Sequence, residues 1–405
     1  MKGPPWLELL DVNAKGVPRS TLANAVTVLQ HDPAWGPETL WYDPFLDRVL
    51  TANSTSREWR DDDDTRLTVY CQQNAELSTI HESQVASAVR YVARQRSKHC
   101  VLDWLASLTW DHEPRIALAF EDHWGAVPSV HQPSDYLRAI SANFFLGLVA
   151  RVVHPGCQLD TMVIFEGPQG IGKSRALRIV GGAWYMLAAE SVTSKDFFQA
   201  FPGKWLIEVG EMDAFSRAER ERVKLAISTP VDRYRSSYGR RAEDHPRQCV
   251  FAGTTNRDDY GNDDTGLRRF LPFVCGDILP TSLTVARPQL FAEAYARLVA
   301  GESWWETPSV PTLAVQADRQ TYDEWTPNVL QFAHEQIAMH GAEHIQIGDV
   351  LTSGLKLPLQ LVDKKHQMRA AAILRRAKWT RRKVYVASAK DELWVWFAPE
   401  SEGGK

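Results

Sequence analysis

Residues Gly167-Pro-Gln-Gly-Ile-Gly-Lys-Ser174 set three glycines, a lysine and a hydroxyl in the pattern G-x-x-x-x-G-K-[ST]. Glycines at 167, 170 and 172 let the backbone close around a polyphosphate with its N–H groups turned inward. Lys173 can then reach the β- and γ-phosphates, Ser174 can bind Mg2+, and the start of a following helix adds a favourable dipole. The flanks have the required form. Thr161-Met-Val-Ile-Phe165 is an apolar run suited to a strand, and Arg175-Ala-Leu-Arg-Ile-Val180 suits a helix. Gly167, Pro168, Gln169, Gly170, Ile171, Gly172, Lys173, Ser174 and Arg175 are therefore expected to cradle a nucleoside triphosphate. The competing interpretation of the string is a glycine-rich turn.

A nucleotide engine needs further groups around the cradle. Lys204-Trp-Leu-Ile-Glu-Val-Gly-Glu-Met-Asp213 supplies an apolar strand, Trp205 to Ile207, ending in carboxylates. Glu208 and Glu211 are the candidates to hold Mg2+ beside Ser174 or to orient the attacking water, and their spacing does not separate the two roles. Gln248-Cys-Val-Phe-Ala-Gly-Thr-Thr-Asn256 reads as a third strand, ending in Thr254, Thr255 and Asn256. The Asn256 amide is placed to sense a γ-phosphate, although Asn also commonly ends strands. Asp263-Asp-Thr-Gly-Leu-Arg-Arg-Phe270 then puts Arg268 and Arg269 in one short loop. A guanidinium suits spread transition-state charge, so both are candidate arginine fingers; a salt bridge to Asp263 or Asp264 is the other reading.

Two segments concentrate positive charge. Arg217, Arg220, Arg222, Lys224, Arg233, Arg235, Arg240, Arg241 and Arg247 lie between the second and third strands, with Tyr234 and Tyr238 among them. Cations there could track phosphates and an aromatic could stack on a base, or the stretch could be a solvated basic face. Lys224, Arg235, Tyr238, Arg240 and Arg241 are the candidate nucleic-acid contacts. Further on, nine Lys or Arg residues and no Asp or Glu lie between Lys364 and Lys383. Lys364, Lys365, Arg369, Arg375, Arg376, Lys378, Arg381 and Arg382 are the DNA-contact candidates among them. Ile347-Gly-Asp-Val-Leu-Thr-Ser-Gly354 reads as a short helix and turn, Gln367 to Lys378 as a longer helix, and Lys383–Ala387 with Leu393–Phe397 as a two-stranded wing. That is the outline of a winged helix-turn-helix, whose second helix would enter a groove of duplex DNA, with a basic protein-interaction module as the alternative.

The elements that must position these groups follow from length and pattern. A chain of 405 residues is long enough for two or three domains with cores of their own. The five cysteines are scattered without a C-x-x-C pair, so neither a zinc site nor a disulfide framework is indicated. Charged residues interrupt every apolar run before transmembrane length, and Pro4, Pro5, Glu8 and Asp11 break the N-terminal apolar residues, so no leader or span is expected. The expected fold is α/β. A mainly helical N-terminal region comprises an α+β accessory domain over 1–115 and a helical lead-in over 116–160. A P-loop NTPase core follows over 161–300, then a connector over 301–327 and a winged-helix-like domain over 328–399. Within the first region, Asp61 to Asp64 read as the acidic start of a helix rather than a metal site. Glu82 to Arg96 read as an amphipathic helix burying Val85, Val89 and Val92.

The order of motifs resembles the virulence-associated protein E family of phages, plasmids and pathogenicity islands. The landmarks are Leu108-Thr-Trp-Asp111 with Pro114-Arg115, the Gly167–Ser174 loop, Glu208-Val-Gly-Glu211, Asp232-Arg-Tyr-Arg235 with Tyr238-Gly-Arg240, Gly253-Thr-Thr-Asn256 and Thr265-Gly-Leu-Arg-Arg-Phe270. They cover about residues 100 to 280. The resemblance implies an AAA+ or superfamily 3-like helicase core, similar to the poxvirus D5 type, working as a hexameric ring with ATP and Mg2+ in the replication of a mobile element. It further implies a hairpin near Tyr238 projecting into a ring channel to meet single-stranded DNA, an arginine supplied across subunits, and a place in the bacterial cytoplasm. No priming domain is expected. A non-unwinding ATPase switch or loader is the first alternative, and a P-loop small-molecule kinase the second.

Overall fold

The computed structural model describes residues 4–52, 56–188, 197–211, 217–235, 241–256, 269–318, 324–339, 341–386 and 391–399. These fall into two compact units, one reaching residue 318 and the other made from residues 324–399.

The first unit opens with α1 (Leu22–His31), capped by the Thr21 hydroxyl, which accepts from Asn24 N–H. An antiparallel meander follows, β1 (Leu40–Asp43), β2 (Arg48–Ala52) and β3 (Ser56–Glu58), then α2 (Asp61–Asn74) and α3 (Glu82–Gln95). The acidic run opens α2, as its charge favours at a helix start. Asp63 accepts from the Arg60 backbone N–H at 2.9 Å and from the Arg57 guanidinium at 2.6 and 2.7 Å. Val85, Val89 and Val92 of α3 are buried with Val28, Leu40, Leu67 and Cys71 in a local core. Next in order, α4 (Cys100–Ala106) contributes Val101 and Leu105 to the larger core beneath the central sheet.

After α5 (Ala119–Trp124) comes α6 (Ser134–Val153), in which every residue from Phe144 to Val152 is buried. Among the described residues it is the one helix long and apolar enough to cross a membrane, but 78% of that stretch lies inside the protein. A helix apolar on all sides is what a core position requires. The chain then enters β4 (Met162–Glu166), α7 (Lys173–Gly181), β5 (Tyr185–Leu187) and β6 (Leu206–Val209). Beyond these lie α8 (Arg217–Ser228), an antiparallel hairpin of β7 (Val231–Tyr234) and β8 (Glu243–Pro246), β9 (Val250–Thr255), β10 (Phe270–Val274), α9 (Pro280–Val299) and α10 (Ser309–Asp318).

Five of these strands form one parallel sheet in the order β10-β4-β9-β6-β5. Three lie within a residue or two of the expected runs. The other two have weak local signals. β5 is only three residues long, and β10 carries Pro272, which a central strand would not accept. β10 lies at the sheet edge, where a missing N–H is tolerated, and Gln132 covers that edge by accepting from Val274 N–H at 2.8 Å. Phe165 of β4 meets Phe120 and Phe273 edge-on at 5.6 and 4.9 Å between ring centroids, and the latter two stack at 4.2 Å. Truncating such a residue to alanine costs about 3–5 kcal/mol, so the strand that carries the glycine loop is firmly held. The 301–327 stretch is more than a connector. Gln316 on α10 donates to the Phe270 carbonyl at 2.8 Å, and Val315 is buried in the sheet's core.

The second unit contains α11 (Thr326–Ala338), β11 (Ile345–Gln346), α12 (Ile347–Asp349) continued by a π turn to Gly354, α13 (Lys364–Arg376), β12 (Thr380–Val386) and β13 (Asp391–Phe397). Its antiparallel sheet has the order β11-β13-β12. Val329, Val350, Leu351, Ile373, Leu374, Trp379 and Trp396 form its core. α13 starts three residues earlier than the apolar pattern suggested, because Asp363 caps it by accepting from His366 N–H at 2.9 Å.

Candidate functional site

All five parallel strands point their carboxyl ends the same way, and a cleft of about 520 Å³ opens there. β4 sits between β10 and β9, and the connections leaving β4 and β9 run to opposite edges of the sheet. Such a reversal is where open parallel sheets leave a crevice for ligands.

The glycine loop leaves β4 into this crevice. Gly170 and Gly172 have φ of +87° and +103°, a region that favours glycine, although a Cβ at either would meet only open space. The constraint at these positions is therefore the backbone path. α7 then begins at Lys173, so the N–H groups of its first turn lie at the loop. Ile171 packs against the core beneath, while Gln169, Gly170, Gly172, Lys173, Ser174 and Arg175 line the cleft.

Lys173 is 6% exposed, and its Nζ donates to the carbonyls of Gly167 (2.5 Å) and Pro168 (2.8 Å) and to Asn256 Oδ1 (3.2 Å). Asn256 directly follows β9, whose Thr255 is in register with Glu166 of β4. Glu208, near the end of β6, is 1% exposed. Its Oε1 accepts from Ser174 Oγ at 2.6 Å and Thr254 Oγ1 at 2.8 Å, and its Oε2 accepts from Tyr185 OH at 2.7 Å. Burial, and next the carboxylate of Glu208, push the Tyr185 phenol well above its ordinary value, so it stays a proton donor. Glu211 also lines the cleft but is exposed, just past the strand end with φ of +50°. Residues from four segments, far apart in sequence, thus meet at one crevice. Tyr185 has no motif to announce it; only the adjacency of β5 and β6 brings its hydroxyl to Glu208.

Among the described residues no three His, Cys, Asp or Glu side chains are grouped to hold a metal by themselves. A magnesium ion held through one hydroxyl, one carboxylate and phosphate oxygens needs no such group, and the Ser174–Glu208 pair offers that donor set.

The virulence-associated protein E-like domain matches residues 105–323. The chain belongs to the virulence-associated protein E-like family. No curated protein matches the sequence. Among solved structures the chain is similar to the apo structure of the NrS-1 C-terminal region (305–718), with 13% identity, a TM-score of 0.45, and coverage of 89% of this chain and 96% of that one. The A form of that apo region gives 12% identity, a TM-score of 0.44 and the same coverage.

Other family landmarks in this chain make structural contacts outside the cleft lining. Asp111 and Arg115 pair at 2.6 and 2.8 Å, and the Arg115 and Ile116 N–H groups donate to the buried Glu293 of α9 at 2.5 and 3.0 Å. Asp232 receives the buried Arg247 in a bidentate pair, so Arg247 anchors the base of the β7–β8 hairpin instead of facing solvent.

Arg269 precedes Phe270, which is in register with Met162 at the start of β4. It therefore lies roughly 17 Å, five parallel residues, from the carboxyl end of the sheet, where the loop lies. There its Nε donates to Ser228 Oγ at 2.7 Å. Arg268 lies outside the described residues.

The basic stretch divides. Lys224 is buried on α8 beside Val223, Ala226 and Ile227 and pairs with Glu221 at 2.8 Å, so it is not on a solvated cationic face. Arg235 and Arg241 are exposed at the two ends of the β7–β8 connection, while Tyr238 and Arg240 lie outside the described residues. Tyr234 stacks on His245 at 4.0 Å. In the second unit Lys364, Lys365, Arg375, Lys378, Arg381 and Arg382 are exposed. Arg369 lies over the Trp325 ring at 4.1 Å, and the Arg376 side chain is outside the described residues.

Proposed function

We propose that this family member is a P-loop ATPase that translocates on DNA, a superfamily 3-like helicase serving the replication of a phage or another mobile element. The observation that carries this reading is the 2.6 Å hydrogen bond from Ser174 Oγ to Glu208 Oε1, which joins the glycine loop to the carboxylate of a second strand. A glycine-rich turn alone would have no reason to place its hydroxyl on a buried acid from another strand.

In this reading the loop N–H groups and Lys173 hold the β- and γ-phosphates of ATP. Ser174 and Glu208 would hold Mg2+, which neutralises phosphate charge when bound. Glu211 would orient the attacking water and take its proton; its exposure in the cleft, while both Glu208 oxygens are engaged, supports that assignment. Asn256 would sense the γ-phosphate, a role its hydrogen bond with Lys173 supports. The distance of Arg269 from its own loop favours a finger given to a neighbouring subunit, and hence a hexameric ring. Exposed Arg235 and Arg241 flank the hairpin segment proposed to meet single-stranded DNA in the channel. A basic helix followed by an antiparallel hairpin supports a winged-helix reading of the second unit, a DNA-binding module.

The test is hydrolysis of Mg-ATP with and without single-stranded DNA, beside displacement of an annealed strand. DNA-stimulated hydrolysis with displacement supports the helicase. Stimulation without displacement points to a clamp or loader, and no stimulation contradicts the proposal.

A further inference from the structure

The hairpin of the second unit carries more than charge. In an antiparallel pair, residues opposite each other share a face, so Arg381 with Trp396, Lys383 with Trp394 and Tyr385 with Glu392 lie on one side. That side buries Trp396, at 1% exposure, in the unit's core. Two residues further along β13 it leaves Trp394 52% exposed, with Tyr385 diagonally opposite at 64%. The face that closes the core thus runs beyond it as an aromatic surface. The Arg381 guanidinium lies 4.5 Å from the Trp394 ring centroid, while Arg382 and Phe397 pair at 5.6 Å on the opposite face. Lys383, opposite Trp394, is ion-paired with Glu392 at 2.6 Å, so the charge beside the indole is partly neutralised. Outside this spot Lys364, Lys365, Arg375 and Lys378 remain exposed.

An indole and a phenol amid cations match one partner chemistry well. Bases in a duplex have their faces covered by stacking and offer only edges, which are read by polar donors and acceptors. Unpaired bases offer π-faces, and proteins that hold them combine aromatic platforms with a cationic track for phosphates. We propose that Trp394 and Tyr385 form a stacking platform for unpaired bases, so that the second unit takes single-stranded DNA in preference to blunt duplex. This rests on the reading of that unit as a DNA-binding module, and it adds the state of the DNA and the residues that select it.

The test uses the full chain without nucleotide. Its affinity is measured across a salt series for oligothymidylate, for the same strand carrying abasic sites, and for a blunt duplex of equal length. Trp394→Ala should weaken oligothymidylate binding roughly 5- to 150-fold, the range for losing one stacked base. The salt dependence should not change, because no phosphate contact is removed. Binding to the abasic strand and to the duplex should be unaffected. Tyr385→Ala should act in the same direction. Trp394→Phe should retain most of the affinity, and Trp394→Leu, which keeps apolar bulk without a π-face, should lose it; this pair separates stacking from folding. The combined variant Lys364→Ala/Lys365→Ala/Arg375→Ala should instead flatten the salt slope on every strand. Near-normal oligothymidylate binding by Trp394→Ala and Trp394→Leu, or an equal loss on abasic and duplex DNA, overturns the stacking platform. If the charge variant too leaves affinity and slope unchanged, the DNA-binding reading of the unit fails with it.

Discussion

Ser174 Oγ donates to Glu208 Oε1 at 2.6 Å although 34 positions separate the two residues in sequence. Each belongs to an element of fixed geometry, Ser174 to the first turn of α7 and Glu208 to β6, so the contact is set by the sheet order and not by a flexible loop. Thr254 and Tyr185 complete the shell of the same carboxylate from the strands on either side. A buried anion with three hydroxyl donors is well placed to share a cation with Ser174, and poorly placed to reach bulk water.

The two acids should therefore behave differently. Glu211→Gln should lower ATP turnover by about 10²–10⁴, the usual worth of a general base, while ATP still binds. Glu208→Gln should raise the Mg2+ concentration needed for half-maximal hydrolysis. Turnover measured over a Mg2+ titration separates them, and normal turnover in Glu211→Gln would remove it from the water-activating role.

Tyr185 orients Glu208 without lining the phosphate loop. Loss of an outer-shell partner of this kind typically weakens metal affinity or activity about 10- to 100-fold. Tyr185→Phe should accordingly shift the Mg2+ dependence by about tenfold, and excess Mg2+ should restore much of the rate. A lower rate that Mg2+ does not restore would contradict the positioning role.

The arginine question is answered by mixing subunits. Arg268→Ala/Arg269→Ala protein has an intact cradle, and Lys173→Ala protein has intact fingers. Each alone should be nearly inactive, and mixed assemblies should recover part of the ATPase activity at interfaces that combine the sound halves. Mixed oligomers that form without recovery would count against a finger supplied in trans.

Much of the cleft was legible because its chemistry is spelled locally. The glycine spacing describes a backbone path, and apolar runs ending in acids or amides describe strand tips. Tyr185 was not legible, since its partner lies on a neighbouring strand chosen by the global sheet order. β10 was hidden by Pro272, whose acceptability depends on an edge position that no local window reveals. Lys224 shows the limit of counting charges. It stands three residues before Ile227 on the buried side of α8, a spacing that does carry the signal once the helix face is drawn. The second unit's helix was found from its basic and apolar pattern, but its start needed the Asp363 cap.

Stability should depend on pH through His123. Its ring is 7% exposed, and burial holds its pKa below the ordinary value of 6.5; Ser282 Oγ lies 3.1 Å from its Nδ1. Because the unfolded chain takes up the proton at a higher pH than the native one, protonation favours unfolding. Stability is retained above about pH 6.5 and falls as the pH drops from there towards the native value. Denaturant melts between pH 7.5 and 5 should show this decline, and His123→Gln should flatten it. An unchanged slope in the variant would assign the pH dependence elsewhere.

The proposed nucleotide site is tested most directly by DNA-stimulated hydrolysis of Mg-ATP by the full chain beside its Lys173→Ala variant. Lys173 joins the loop carbonyls to Asn256, and its removal would take the one cation of the loop motif from the proposed phosphate site. A transition-state arginine in comparable NTPases contributes about 10³–10⁵ in rate, which sets the scale of the loss expected here. Robust turnover is expected in the unaltered protein and none measurable in the variant, with DNA binding by the second unit retained. Near-normal DNA-stimulated turnover by Lys173→Ala would contradict the nucleotide site.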